Sequence, residues 1–190
     1  SESDAQALIQ KPFPHRSIEG AEFYGDRQVF SGEIRGKGFL VYPDGTVFKG
    51  TFQIGLPYEG ELHHPEGVIF KGKFVDGLPR QGTVTNRRGR SIKGNFKEGK
   101  FDGWVKETMR GVGGYEKSFY RNGKPTGRKM KYDEADRPIS CEHWPMRTKG
   151  YFYSGPVNAA KQPEGEGIVT KPDGTTYRAT FKGGREVGAP

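Results

Sequence analysis

Cysteine occurs once, at Cys141, which excludes an intramolecular disulfide and leaves the redox compartment open. Apolar residues make up only 32% of the chain and the mean hydropathy is −0.83. That is too little for a thick two-layer globule, whereas an array whose units each bury a few residues against their neighbours needs less. No apolar run approaches the ~20 residues of a membrane-spanning helix. The chain opens Ser1-Glu2-Ser3 without methionine, as a processed or trimmed form would, and carries no recognisable leader. Two settings fit: a cytoplasmic or membrane-peripheral protein is favoured, and a processed secreted or periplasmic form is the alternative.

What is present is glycine, 30 in 190 residues, and a repeat. Phe48-Lys49-Gly50-Thr51-Phe52 returns as Phe70-Lys71-Gly72-Lys73-Phe74 and as Ile92-Lys93-Gly94-Asn95-Phe96, at intervals of 22 residues. Gly55, Gly77 and Gly99 follow at one offset and Gly60, Gly82 and Gly103 beyond them. A fixed period of this length marks a repeat array of one hairpin per unit. Within each copy the period is 2, so Phe48, Gly50 and Phe52 share one face and Lys49 and Thr51 the other. Glycine weakens a strand. Its place here implies a close approach, with an aromatic of the neighbouring hairpin lying over the gap. Ile54-Gly55, Asp76-Gly77 and Glu98-Gly99 read as two-residue turns.

Flanking copies extend the array. Phe30-Ser31-Gly32-Glu33-Ile34 precedes Gly36-Lys37-Gly38, and Pro43-Asp44-Gly45 forms a turn. Tyr115-Glu116-Lys117-Ser118-Phe119 places lysine where glycine is expected, and Asn122-Gly123 is a hairpin turn. Residues 133–150 read as an irregular repeat or insertion, after which Tyr153-Ser154-Gly155, Gly165-Glu166-Gly167 and Tyr177-Arg178-Ala179-Thr180-Phe181 restore the pattern. Residues 1–28 do not match it and read as an arm or cap ahead of an array over 29–190.

These residues resemble the MORN repeat (membrane occupation and recognition nexus): an aromatic-x-Gly-x-aromatic strand, a turn glycine, Gly-x-Gly, a second strand and Asp-Gly. The match runs from Phe30 to about Gly188. Departures are Ile92 for an aromatic, Lys117 and Ala179 for glycines, and Tyr58 and Arg80 at the first position of two Gly-x-Gly pairs. The resemblance implies an all-β fold, an elongated single-layer antiparallel meander of consecutive hairpins. MORN arrays occur in junctophilins and plant phosphatidylinositol phosphate kinases, where lipid binding has been proposed. They also occur in docking scaffolds, in cytoskeletal assembly factors and beside SET methyltransferase domains. The implied role is binding rather than catalysis, with the partner open.

Residues 80–150 carry 18 Lys/Arg against 8 Asp/Glu, while the remainder carries 13 against 15. The register sets Lys49, Lys71 and Lys93 at one position of successive repeats, with Lys73 on the same face and Arg178 in the last copy. Cations about 10 Å apart in a row suit an anionic surface, and equally serve to solvate a one-faced sheet. Four partners follow in order. A protein dock is first and an anionic lipid surface second. Self-association through a sheet edge or terminal repeats is compatible with the first. Nucleic acid is least favoured, because the aromatics lie on the face opposite the lysines.

Three further groupings read as structural. His63-His64 among Glu59, Glu61 and Glu66 cannot join one metal, since neighbours on a strand face opposite sides. Cys141-Glu142-His143 lacks a third partner for nucleophilic chemistry. Arg110-Gly111-Val112-Gly113-Gly114 lacks the Lys-Ser/Thr and helix of a phosphate loop. The expectation is a non-enzymatic protein without a cofactor.

Overall fold

The structure, a computed structural model, describes residues 20–25 and 35–188. Most of the expected arm and the copy Phe30-Ser31-Gly32-Glu33-Ile34 therefore lie outside the described residues. Two-residue turns set the architecture. Ile54 and Gly55, Asp76 and Gly77, Glu98 and Gly99, Asn122 and Gly123, and Gly183 and Gly184 all hold positive φ at both positions. That is the type I′ geometry, whose twist matches the strands it joins. Repeated reversals of this kind yield a single open antiparallel sheet of fifteen strands, in which every strand pairs with its neighbours in sequence.

The chain forms two compact units, Ser1–Val105 with Tyr120–Lys124, and Lys106–Phe119 with Pro125–Pro190. The first holds β1 (Glu22–Gly25), β2 (Gly36–Val41), β3 (Val47–Gln53), β4 (Leu56–His63), β5 (Ile69–Val75), β6 (Leu78–Thr85) and β7 (Arg90–Lys97). Strands β8 (Lys100–Met109) and β9 (Tyr115–Arg121) contribute residues to both units, as does β10 (Lys124–Tyr132) through Lys124. The second holds β11 (Pro138–Pro145), β12 (Phe152–Pro156), β13 (Gly165–Thr170), β14 (Thr176–Lys182) and β15 (Arg185–Gly188).

In the first unit, register brings the glycines into one row: Gly25 faces Gly38, and the line continues through Gly50, Gly60, Gly72, Gly82 and Gly94. A Cβ on Gly50 would lie 2.2 Å from the Glu59 carbonyl oxygen, and one on Gly72 only 2.0 Å from that of Gln81. The strands bend inward along this row. Phe48 and Phe52, four residues apart on β3, would stand about 13 Å apart on a flat strand, yet their ring centroids are 5.2 Å apart. Phe70 and Phe74 repeat the arrangement at 5.1 Å.

Folding each strand about its glycine turns one layer into its own core. Rings then run edge to face from Phe23 to Phe52, Phe48, Phe74, Phe70 and Phe96. Such pairs add about 0.5–1.5 kcal/mol each beyond burial. Ile92 stands where a ring would otherwise be, and Phe96 instead stacks on Phe101 at 4.4 Å. Leu40, Leu62 and Val84 fill the intervening strands.

The expected cause of the glycines is corrected in part. A ring does occupy the gap at Gly82, where Phe70 Cζ lies 2.7 Å from the Cβ position, and at Gly38, beneath Phe23. At Gly50 and Gly72 the obstacle is the backbone of the facing strand. Glu22–Gly25, expected within the arm, is a paired strand, and its Phe23 covers the first repeat. Tyr58 and Arg80 are the extra residues of β-bulges, between partners Pro57 and Glu59 and between Pro79 and Gln81.

In the second unit the row reads Met130, Cys141, Gly155, with Gly167 beside it, then Ala179. Tyr153 lies across it, 2.3 Å from the Cβ position of Gly167, its hydroxyl donating to the Pro156 carbonyl at 2.7 Å. In the span expected to be irregular, residues 133–137 form a tight loop and 138–145 a strand, with a bulge about His143 (φ 46°). Counting four residues back from the turn at Asn122 places Ser118, not Lys117, at the glycine position. Ser118 is buried, and Lys117 instead faces Tyr115 and Tyr132.

Candidate docking face

The face opposite the rings is built by alternation. Where Phe48, Gly50 and Phe52 turn inward, Lys49 and Thr51 must turn outward, and the register lines up their counterparts. One row reads Phe39, Lys49, Glu61, Lys71, Thr83, Lys93, and the other Lys37, Thr51, Glu59, Lys73, Gln81, Asn95. Lys49, Lys71, Lys73 and Lys93 are exposed and share this face. Arg178 belongs to the second unit, where it meets Glu166 at 3.4 Å.

The row is not a run of cations. β4 inserts Glu59 and Glu61 between the lysines of β3 and β5, in the intervals of about 10 Å expected from two-strand repeats. Lys71 Nζ lies 3.3 Å from Glu61, whose other oxygen meets His63 Nε2 at 3.0 Å. Hydrogen bonding from His63, and then from Lys71, holds the Glu61 carboxyl below its usual range. An exposed pair of this kind contributes under ~1 kcal/mol. Glu59 and Glu61, met in the sequence only as neighbours of His63-His64, join the lysine rows through the pairing of β4 with β3 and β5. The signal that could have found them is the alternation Glu59-Gly60-Glu61.

Apolar groups share this surface: Phe39 is 43% and Tyr58 44% exposed. Lys49 Nζ sits 5.5 Å from the centre of the Phe39 ring. A cleft of about 300 Å³ lies here, lined by Lys37, Phe39, Lys49 and Thr51 over glycine backbone. The second unit repeats it with about 360 Å³ between Ser154, Glu166, Ile168 and Arg178. Ile168 and Arg178 occupy the positions of Phe39 and Lys49 in the motif.

The remaining groupings fall elsewhere. Cys141 is 3% exposed, its Sγ directed at the Tyr153 carbonyl at 3.8 Å, and burial pushes its thiol up to about 11. His143 lies flat on Phe152, ring centres 3.8 Å apart. His64 Nδ1 accepts from the Glu66 amide at 3.2 Å. Among the described residues no three His, Cys, Asp or Glu side chains converge as a metal site. The glycine-rich stretch after Arg110 is a turn closed by the Val112 amide on the Met109 carbonyl.

No protein-family model matches this chain, and a search of curated proteins finds no match either.

Proposed function

We propose that the chain is a non-enzymatic scaffold of MORN type that docks a protein partner on the outward face of its sheet. The observation that carries this reading is the mixed sign of the outward rows, where Glu59 and Glu61 stand among Lys49, Lys71, Lys73 and Lys93 beside exposed Phe39 and Tyr58. Alternating charges with aromatic anchors complement another protein, whose surface also alternates. A uniformly negative lipid surface would be repelled at β4. The fully exposed strand β15 offers a further edge, on which a second copy of the chain could add a strand.

Peripheral binding to anionic lipid is the second reading, supported by the basic excess over residues 80–150. Two charge reversals separate them. With protein docking, Lys49→Glu/Lys71→Glu/Lys93→Glu and Glu59→Lys/Glu61→Lys each lose the same cross-linked partners from a native extract. With lipid docking, the glutamate reversal strengthens co-sedimentation with phosphatidylserine vesicles while the lysine reversal weakens it. That second pattern, with no protein partner lost, would overturn the scaffold reading.

A further inference from the structure

Two hairpins carry one plan, β2–β3 in the first unit and β13–β14 in the second. Each closes on a Pro-Asp-Gly loop, residues 42–46 and 171–175, with the same pair of backbone bonds. Their registers also correspond. Lys37 faces Thr51, Gly38 faces Gly50 and Phe39 faces Lys49; Glu166 faces Thr180, Gly167 faces Ala179 and Ile168 faces Arg178. Four outward side chains therefore surround each pair of small residues. Because β3 bends inward at Gly50, its outward neighbours Lys49 and Thr51 splay apart, and the cleft of about 300 Å³ opens over the backbone between them.

One exchange distinguishes the two clefts. Across the diagonal of the second, Glu166 meets Arg178 at 3.4 Å, so that cleft neutralises its own cation. The first carries Lys37 where the second carries Glu166. Residues on such a diagonal stand about 7–8 Å apart, and here both end in ammonium groups. Neither Lys37 nor Lys49 forms an ion pair among the described residues. Glu61, which faces Lys49 from β4, is held by Lys71 and His63 instead. The remaining wall is the exposed ring of Phe39, 5.5 Å from Lys49 Nζ.

We infer that the β2–β3 cleft receives one aromatic side chain of the docked protein, presented by an extended segment with acidic residues on the same side. This rests on the docking face proposed above and names what that face binds. A volume of about 300 Å³ stands at the lower end of the range for ligand sites and suits a single large side chain. Phe39 supplies a ring for edge-to-face packing, and buried aromatic anchors dominate the energetics of protein interfaces. Two ammonium groups with no carboxylate between them favour an acidic neighbour and repel a basic one. In an extended segment the side chains two positions before and after the ring point the same way, about 7 Å from it. Carboxylates there are directed to Lys37 and Lys49.

The test is an NMR titration of the whole chain with the capped peptide acetyl-Glu-Ala-Phe-Ala-Glu-amide, read at the backbone amides of β2 and β3. Saturable shifts centred on Phe39 and Lys49 are expected. Alanine for the peptide's phenylalanine, or lysine for both its glutamates, weakens binding at least tenfold. Lys37→Glu installs the diagonal pair of the second unit and weakens binding at least tenfold, with the melting temperature unchanged because the position is exposed. Glu166→Lys makes the reciprocal change and adds a second binding site at Ile168 and Arg178. No saturable binding, equal binding of the alanine peptide, an unaffected Lys37→Glu chain, or a Glu166→Lys chain that gains no site would each overturn the inference. Shifts of the same amides on concentrating the chain alone would give the cleft to a second copy and overturn it too. The scaffold reading is judged separately by the partners cross-linked in extract. Their loss on charge reversal, with the peptide unbound, would keep the docking face and remove the cleft.

Discussion

In the first unit every strand from β1 to β7 sets a glycine in the row that crosses the sheet, while the second unit admits Met130, Cys141 and Ala179 to the corresponding row. The same sequence habit therefore answers two demands. In the first unit facing backbones touch at Gly50 and Gly72, because β3 and β5 each fold sharply enough to press their own two rings together. In the second, one large ring, Tyr153, lies over the row and packs on Phe181 at 5.0 Å, so glycine is needed only beneath that ring. Close backbone approach tolerates no side chain. A covering ring tolerates small ones to either side.

The largest effect should come from Gly72→Val, whose side chain has only the facing carbonyl to displace. A loss of about 4 kcal/mol or more is expected, read as a lowered urea midpoint. The counterpart Cys141→Ala trims a side chain the second unit accommodates and should cost about 1 kcal/mol. Equal costs for the two would erase the distinction drawn here. Cys141 also offers a chemical readout. Its buried thiol, pushed up to about 11, stays protonated at pH 8, so labelling by a disulfide reagent should wait for unfolding. Immediate labelling of the folded chain would place Cys141 outside the core. The smallest effect concerns the turns. Ile54 is a β-branched residue at φ 51°, 63% exposed, in the geometry that Asn122 occupies at φ 52°. Ile54→Asn should raise stability by about 0.5–1 kcal/mol, and a lowered midpoint would mean that Ile54 packs against something.

The fold was legible because its signals are local. The two-residue turns and the inward Phe48-Gly50-Phe52 alternation each lie within one turn or one strand, and the 22-residue period repeats them once per hairpin. What escaped lies between strands. The glycine row exists only once register aligns Gly60 with Gly50 and Gly72, and Glu61 joins the lysine row only through the pairing of β4 with β3 and β5. Ser118 was missed for a related reason: the aromatics Tyr115 and Phe119 suggested a frame that the turn at Asn122 overrules.

Strand order that follows the chain also governs how the protein acquires its structure. Every pairing joins neighbours in sequence, so each hairpin closes a short loop and the entropy lost in closing it is small. Nucleation is open to any hairpin with a type I′ turn, and growth then proceeds by adding one strand to an existing template. During synthesis a hairpin is complete once roughly one repeat has emerged, so structure can accumulate from the N-terminus at the pace of the ribosome, about 5–20 residues per second. The growing edge is the exposed one at every stage, and among the described strands the four-residue β15 is added after the other fourteen.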